Sequence, residues 1–89
     1  RAFLYVYRFI ETYPDRPAAL TLVRNLAQEY SGLAEAHWSV AHMANLNGNA
    51  ELALDEIRQA RNFRPKWTMA VGLEAQILAL TDPKQSLQI

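Results

Sequence analysis

The chain has no cysteine, only three glycines among 89 residues, and no excess of either charge. It also has no run near the roughly 18 apolar residues that a membrane-spanning helix needs. Without cysteine, disulfides and thiolate metal sites are excluded as staples, while the compartment stays undecided, since a periplasmic chain lacks cysteine as readily as a cytosolic one. Nine basic residues balance nine acidic ones, which leaves no field to draw nucleic acid or an anionic membrane. The opening Arg1-Ala2-Phe3-Leu4-Tyr5-Val6-Tyr7-Arg8 lacks an initiator Met, an apolar h-region and a small-residue cleavage site. The chain therefore reads as a piece of a longer protein, without membrane insertion.

Catalytic signatures are missing as well. There is no Gly-rich phosphate loop, nucleophile elbow or Ser/His/Asp arrangement, so the expectation is a non-enzyme with no cofactor. His37 and His42 are five residues apart, which places them about 140° apart around a helix of 3.6 residues per turn. They cannot chelate as an i, i+4 pair would, and no third ligand completes a metal site. Arg58, Arg61, Arg64 and Lys66 interleave with Phe63 and Trp67 in the one basic cluster. A nucleic-acid surface is the sharper reading of that cluster. Cations answering the dipole of a helix C-terminus are the better one, and no nucleic-acid partner is expected.

What the chain does have is apolar material, 51% of its residues, arranged with helical period. A domain this small buries only roughly 60% of its unfolded surface, so packing must supply the stability. Phe3, Val6, Tyr7 and Ile10 predict a first helix running to about Tyr13, stopped by Pro14. Asp15 is placed to cap the second, with Pro17 in its first turn. That helix carries Ala19, Leu20, Val23, Leu26 and Ala27 on one face and should end at Ser31-Gly32 in a left-handed turn. Ala36, Val40, Ala41, Met43 and Ala44 form the stripe of a third helix ended by Gly48. Asn49 caps a fourth built on Ala53, Leu54, Ile57 and Ala60, and Pro65 ends it. Ala70, Val71, Ala75, Ile77 and Leu78 predict a fifth helix over 67–80, and 84–89 reads as the stump of a sixth.

Shifting the chain by 34 residues lays Phe3 on His37, Val6 on Val40, Ile10 on Ala44, Ala19 on Ala53, Leu20 on Leu54, Val23 on Ile57 and Leu26 on Ala60. The segment 34–65, with small Ala41, Ala53 and Ala60, the turn Gly48 and the closing Pro65, resembles a tetratricopeptide repeat, a 34-residue helix-turn-helix unit of a stacked solenoid. The resemblance implies an all-α fold of about five helices, antiparallel helix-turn-helix repeats stacked in a right-handed superhelix. One domain over 1–89 would hold repeat 1 (1–33), repeat 2 (34–66) and a truncated repeat 3 (67–89). Two departures stand out. Tyr7 occupies a position where the family prefers Gly or Ala. Glu74 falls where it buries a large aliphatic residue, which implies a shifted last helix or, the preferred reading, a face left unfinished for want of its partner helix.

The family resemblance further implies a protein-interaction scaffold whose first helices line a concave groove. Carried onto this sequence, the groove comprises Leu4, Tyr5, Arg8 and Thr12, then Glu35, Trp38, Ser39, His42 and Asn45, then Met69, Leu73 and Gln76. Trp38 lies outside the expected buried stripe and, with Tyr5, has the makings of an interface anchor; a neighbouring segment covering it is the competing reading. Arg8, His42, Asn45 and Gln76 would select by hydrogen bonding, and the expected occupant is a protein or peptide segment. His37 should fill the seam between helices. The alternative function is architectural: a segment that packs on further repeats or self-associates through its C-terminal end, where Val71, Leu78, Leu87 and Ile89 would be uncovered.

Overall fold

A computed structural model describes residues 2–81. They form five helices in chain order, α1 (Ala2–Glu11), α2 (Arg16–Glu29), α3 (Ala34–Leu46), α4 (Ala50–Phe63) and α5 (Thr68–Thr81), with no strand among the described residues. The expected stump over 84–89, with Leu87 and Ile89, lies outside them.

Local chemistry sets most of the boundaries. Asp15 accepts the Ala18 amide at 3.1 Å, capping α2 with Pro17 in its first turn. Gly48 takes φ 76°, a left-handed conformation that ends α3 at little steric cost, and Asn49 then accepts the Leu52 amide at 3.3 Å to cap α4. Arg64 precedes Pro65 and leaves the helical region at φ −139°, which closes α4. Gly32 differs from expectation. No left-handed residue occurs there; a turn bonded from the Leu33 amide to the Tyr30 carbonyl at 2.9 Å makes the connection instead.

α3 is the central helix and touches the other four. Eight of its 13 residues are buried, because it is covered on two sides. On one side Ala36, Val40 and Met43 join Phe3, Tyr7 and Ile10 of α1 and Ala19, Val23 and Ala27 of α2 in a first core. On the other, Ala41 and Ala44 join Ala53, Ile57 and Ala60 of α4 and Ala70, Leu73 and Ile77 of α5 in a second. Trp38, Leu20 and Leu52 pack against both cores, which makes them one continuous apolar interior. Small alanines line the meeting of α3 and α4, while bulky Tyr7 packs between α1 and α3 and is only 2% exposed.

Val71 and Leu78 of α5 are uncovered, as expected. Ala70, Leu73 and Ile77 are buried, whereas Val71, Ala75 and Leu78 lie on the exposed side. Glu74 lies between Val71 and Leu78 along the helix, both of them exposed. It sits beside the buried seam and is paired with Arg61 and, at 3.9 Å, with Arg58 of α4. A carboxylate can occupy an otherwise aliphatic position because α4 brings two cations to it.

Candidate binding groove

Between α1 and the start of α5, across the face of α3, lies a groove of about 410 Å³ lined by Leu4, Tyr5, Tyr7, Arg8, Glu11, Trp38 and Met69. Five of these, Leu4, Tyr5, Arg8, Trp38 and Met69, belong to the set predicted from sequence. α1 brings its residues together because 4, 8 and 11 recur at the helical step, so they share one face. The N-terminal turn of α5 presents Met69 opposite them.

Trp38 differs from the exposed anchor expected of it. Its indole is half-buried, stands edge-on to Tyr7 with centroids 5.9 Å apart, stacks on His42 at 5.0 Å and 11°, and donates from Nε1 to the Met69 carbonyl at 3.2 Å. It is a bracket joining α1, α3 and α5 as well as a groove wall. Tyr5, 67% exposed, is the groove aromatic that keeps its surface available.

Two predicted groove residues are corrected outright. Ser39 is fully buried, its hydroxyl donating to the Glu35 carbonyl at 2.8 Å, and Leu73 is 4% exposed within the second core. Others lie off the groove. The Thr12 hydroxyl donates to the Phe9 carbonyl at 2.7 Å beyond the end of α1, and Glu35 pairs with Arg64 at 3.7 Å. Asn45 and Gln76 do not line the cavity.

His42 stands behind the wall rather than in it. Its Nδ1 is 2.6 Å from the Tyr7 hydroxyl and 3.6 Å from Glu11. Burial pulls the imidazole below its ordinary pKa, against the raising influence of Glu11, and burial likewise raises the Tyr7 phenol. Both rings are therefore neutral at pH 7, so Tyr7 donates and Nδ1 accepts. Sequence reading missed Tyr7 and Glu11 as groove residues. The signal for Glu11 was available, since it lies one turn beyond Arg8 on the face of Leu4.

The remaining polar clusters serve the fold. His37, in the seam as expected, is 8% exposed, with Nε2 2.6 Å from the Ser31 carbonyl, Nδ1 3.4 Å from Glu56 and its ring stacked on Phe63 at 5.6 Å. The two histidines thus look toward different neighbours, and no group of three potential metal ligands forms among the described residues. In the basic cluster Arg58 and Arg61 engage Glu74, and Arg64 lies 4.8 Å from the Trp67 ring centroid. A larger depression of about 590 Å³ is lined only by Arg64, Pro65, Lys66, Trp67, Thr68 and Met69, a crease along one connection rather than a convergence of helices. No helix among the described residues is long and apolar enough to cross a membrane.

No protein-family model, curated protein or solved structure matches this chain.

Proposed function

We propose that the chain is a protein-interaction scaffold of tetratricopeptide type, holding a peptide or helical segment of a partner protein in the groove of Leu4, Tyr5, Arg8, Glu11, Trp38 and Met69. The observation that carries this reading is the meeting of residues from three helices around one open, largely apolar cavity of about 410 Å³. Tyr5 supplies the anchor surface and Arg8 and Glu11 the polar rim, the composition of an interface hot spot. No catalytic step is assigned to the groove. The 34-residue register supports the repeat assignment: buried Phe3, Tyr7 and Ile10 of α1 correspond to buried His37, Ala41 and Ala44 of α3. Chemical-shift mapping with a peptide enriched from a display library tests the proposal. Perturbations centred on Leu4, Tyr5, Arg8 and Met69 support it, and perturbations centred on α2 or α4 sink it.

The architectural reading is favoured by a different observation. Val6 and Phe9 are 46% and 75% exposed, although Val40 and Met43, 34 residues later, are buried against the preceding helices. Val71, 41% exposed, likewise corresponds to buried His37. On this reading further helices, or another copy, cover both ends. Sedimentation decides it: concentration-dependent association lost in Phe9→Glu supports docking at α1, and a monomer at every concentration removes self-association.

A further inference from the structure

Three of the seven residues lining the groove touch His42: Tyr7 by hydrogen bond, Trp38 by stacking and Glu11 at 3.6 Å. The imidazole is thus coupled to the wall on which the proposed partner would rest. We infer that His42 is a proton-sensitive element behind this groove, whose protonation redirects Nδ1 from Tyr7 toward Glu11 and leaves Arg8 as the uncompensated charge of the groove. This rests on the reading of the groove as a binding surface.

The chemistry follows from one nitrogen. In the neutral ring Nδ1 has a lone pair and accepts the Tyr7 hydroxyl proton, so Nε2 carries the ring hydrogen. The added proton goes to Nδ1, which then donates. The Tyr7 hydroxyl must turn its own hydrogen away and accept, and the Glu11 carboxylate becomes the attractive second acceptor. Before protonation Arg8 and Glu11 offset one another along α1. Afterwards Glu11 is matched by the imidazolium, and the groove changes from neutral to carrying one net positive charge. The stacked Trp38 indole favours a cation on its face and so does not oppose the change.

Several charged groups on the other elements around α3 are held away from His42. Arg16 of α2 donates to the Leu46 carbonyl at 3.3 Å, Glu56 of α4 faces His37, and Glu74 of α5 is held by Arg58 and Arg61. On α3 itself Glu35 pairs with Arg64. Tyr7 and Glu11 on α1 are therefore the titratable groups that face His42, and they act in opposite directions: the hydroxyl donor favours the neutral ring, the carboxylate the charged one.

NMR titration of the free protein tests this without a partner. The His42 ring should titrate with a midpoint below the ordinary imidazole value of about 6.5. The same midpoint should be seen at the Trp38 indole N–H and the Leu4, Tyr5 and Arg8 amides. Tyr7→Phe should raise that midpoint and Glu11→Gln should lower it, and in His42→Gln the groove resonances should lose the transition. A His42 titration not felt at Leu4, Tyr5 and Arg8, or shifts of the same sign in Tyr7→Phe and Glu11→Gln, overturns it; the wild-type measurement stands if a variant fails to fold. Because no ligand is added, a groove that binds nothing would leave this transition intact, so the two proposals fail separately.

Discussion

Tyr7 donates its hydroxyl to Nδ1 of His42 at 2.6 Å, joining α1 to the central helix from a ring that is 2% exposed. The Tyr7 hydroxyl sits on a buried ring and has little water to fall back on if its partner is lost. Tyr7→Phe keeps the ring, its edge-on contact with Trp38 and the packing, and removes only the hydroxyl. It should destabilise the chain by about 1 kcal/mol in chemical denaturation. A stability equal to wild type would mean that the hydrogen bond adds nothing to the docking of α1.

Stability should also depend on pH through His42. Its folded pKa is depressed, chiefly by burial, so between the folded and unfolded values the unfolded chain binds more protons. The stabilisation is therefore complete above about pH 6.5, the unfolded value, and is lost as pH falls through the folded pKa. Thermal melts of wild type should show Tm falling across that window, and His42→Gln should flatten the slope there. A Tm that rises on acidification across the same window contradicts the sign.

Ala41 and Ala53 have no exposed surface and belong to the core formed where α3 and α4 meet. Leucine at either position must push the helices apart, and overpacking of this kind typically destabilises by about 1 to 3 kcal/mol. Chemical denaturation of Ala41→Leu and Ala53→Leu checks it. Neutral behaviour at both would show that the helices do not approach closely there.

The Glu74 pairing predicts an asymmetry between its partners. Glu74 is 15% exposed at its side chain, whereas those of Arg58 and Arg61 are 64% and 39% exposed. Arg61→Ala leaves a largely covered carboxylate with only the distant Arg58, and should destabilise by roughly 1 to 3 kcal/mol. Glu74→Leu lets the arginines turn to water and places an aliphatic side chain beside the buried seam, so it should be close to neutral. The reverse order in denaturation would mean that the arginines, not the carboxylate, are the groups the fold depends on.

How much of this could be read from sequence follows from how local each cause is. Asp15, Gly48 and Asn49 act within a few residues of themselves, and their helix ends were legible. Gly32 was not, because a turn through Tyr30 and Leu33 made a left-handed residue unnecessary. α5 has Ala70, Val71, Leu73, Ala75, Ile77, Leu78, Ala79 and Leu80 around its whole circumference, so periodicity could not say which side faces α4. Ser39 looked polar enough for a groove, yet its hydroxyl satisfies itself on the turn before it and the side chain can be buried. Trp38 fell outside the aliphatic stripe as expected, but an indole is long enough to reach α1 and α5 from there. Leu4, Tyr5, Arg8, Trp38 and Met69 were legible as groove residues, while the burial of Ser39 and Leu73 was not, because the packing of several helices decides it.

The most direct test of the account is the affinity of one display-selected peptide for Tyr5→Ala beside a control at Leu22, which is 39% exposed on α2. Tyr5 is 67% exposed and belongs to neither core, so its truncation should leave Tm unchanged while weakening binding by about tenfold or more, the effect of losing a hot-spot aromatic. Leu22→Ala should bind as wild type does. Equal affinities for Tyr5→Ala and wild type, or loss of binding in Leu22→Ala instead, would contradict the claim that the groove between α1, α3 and α5 is where this protein holds its partner.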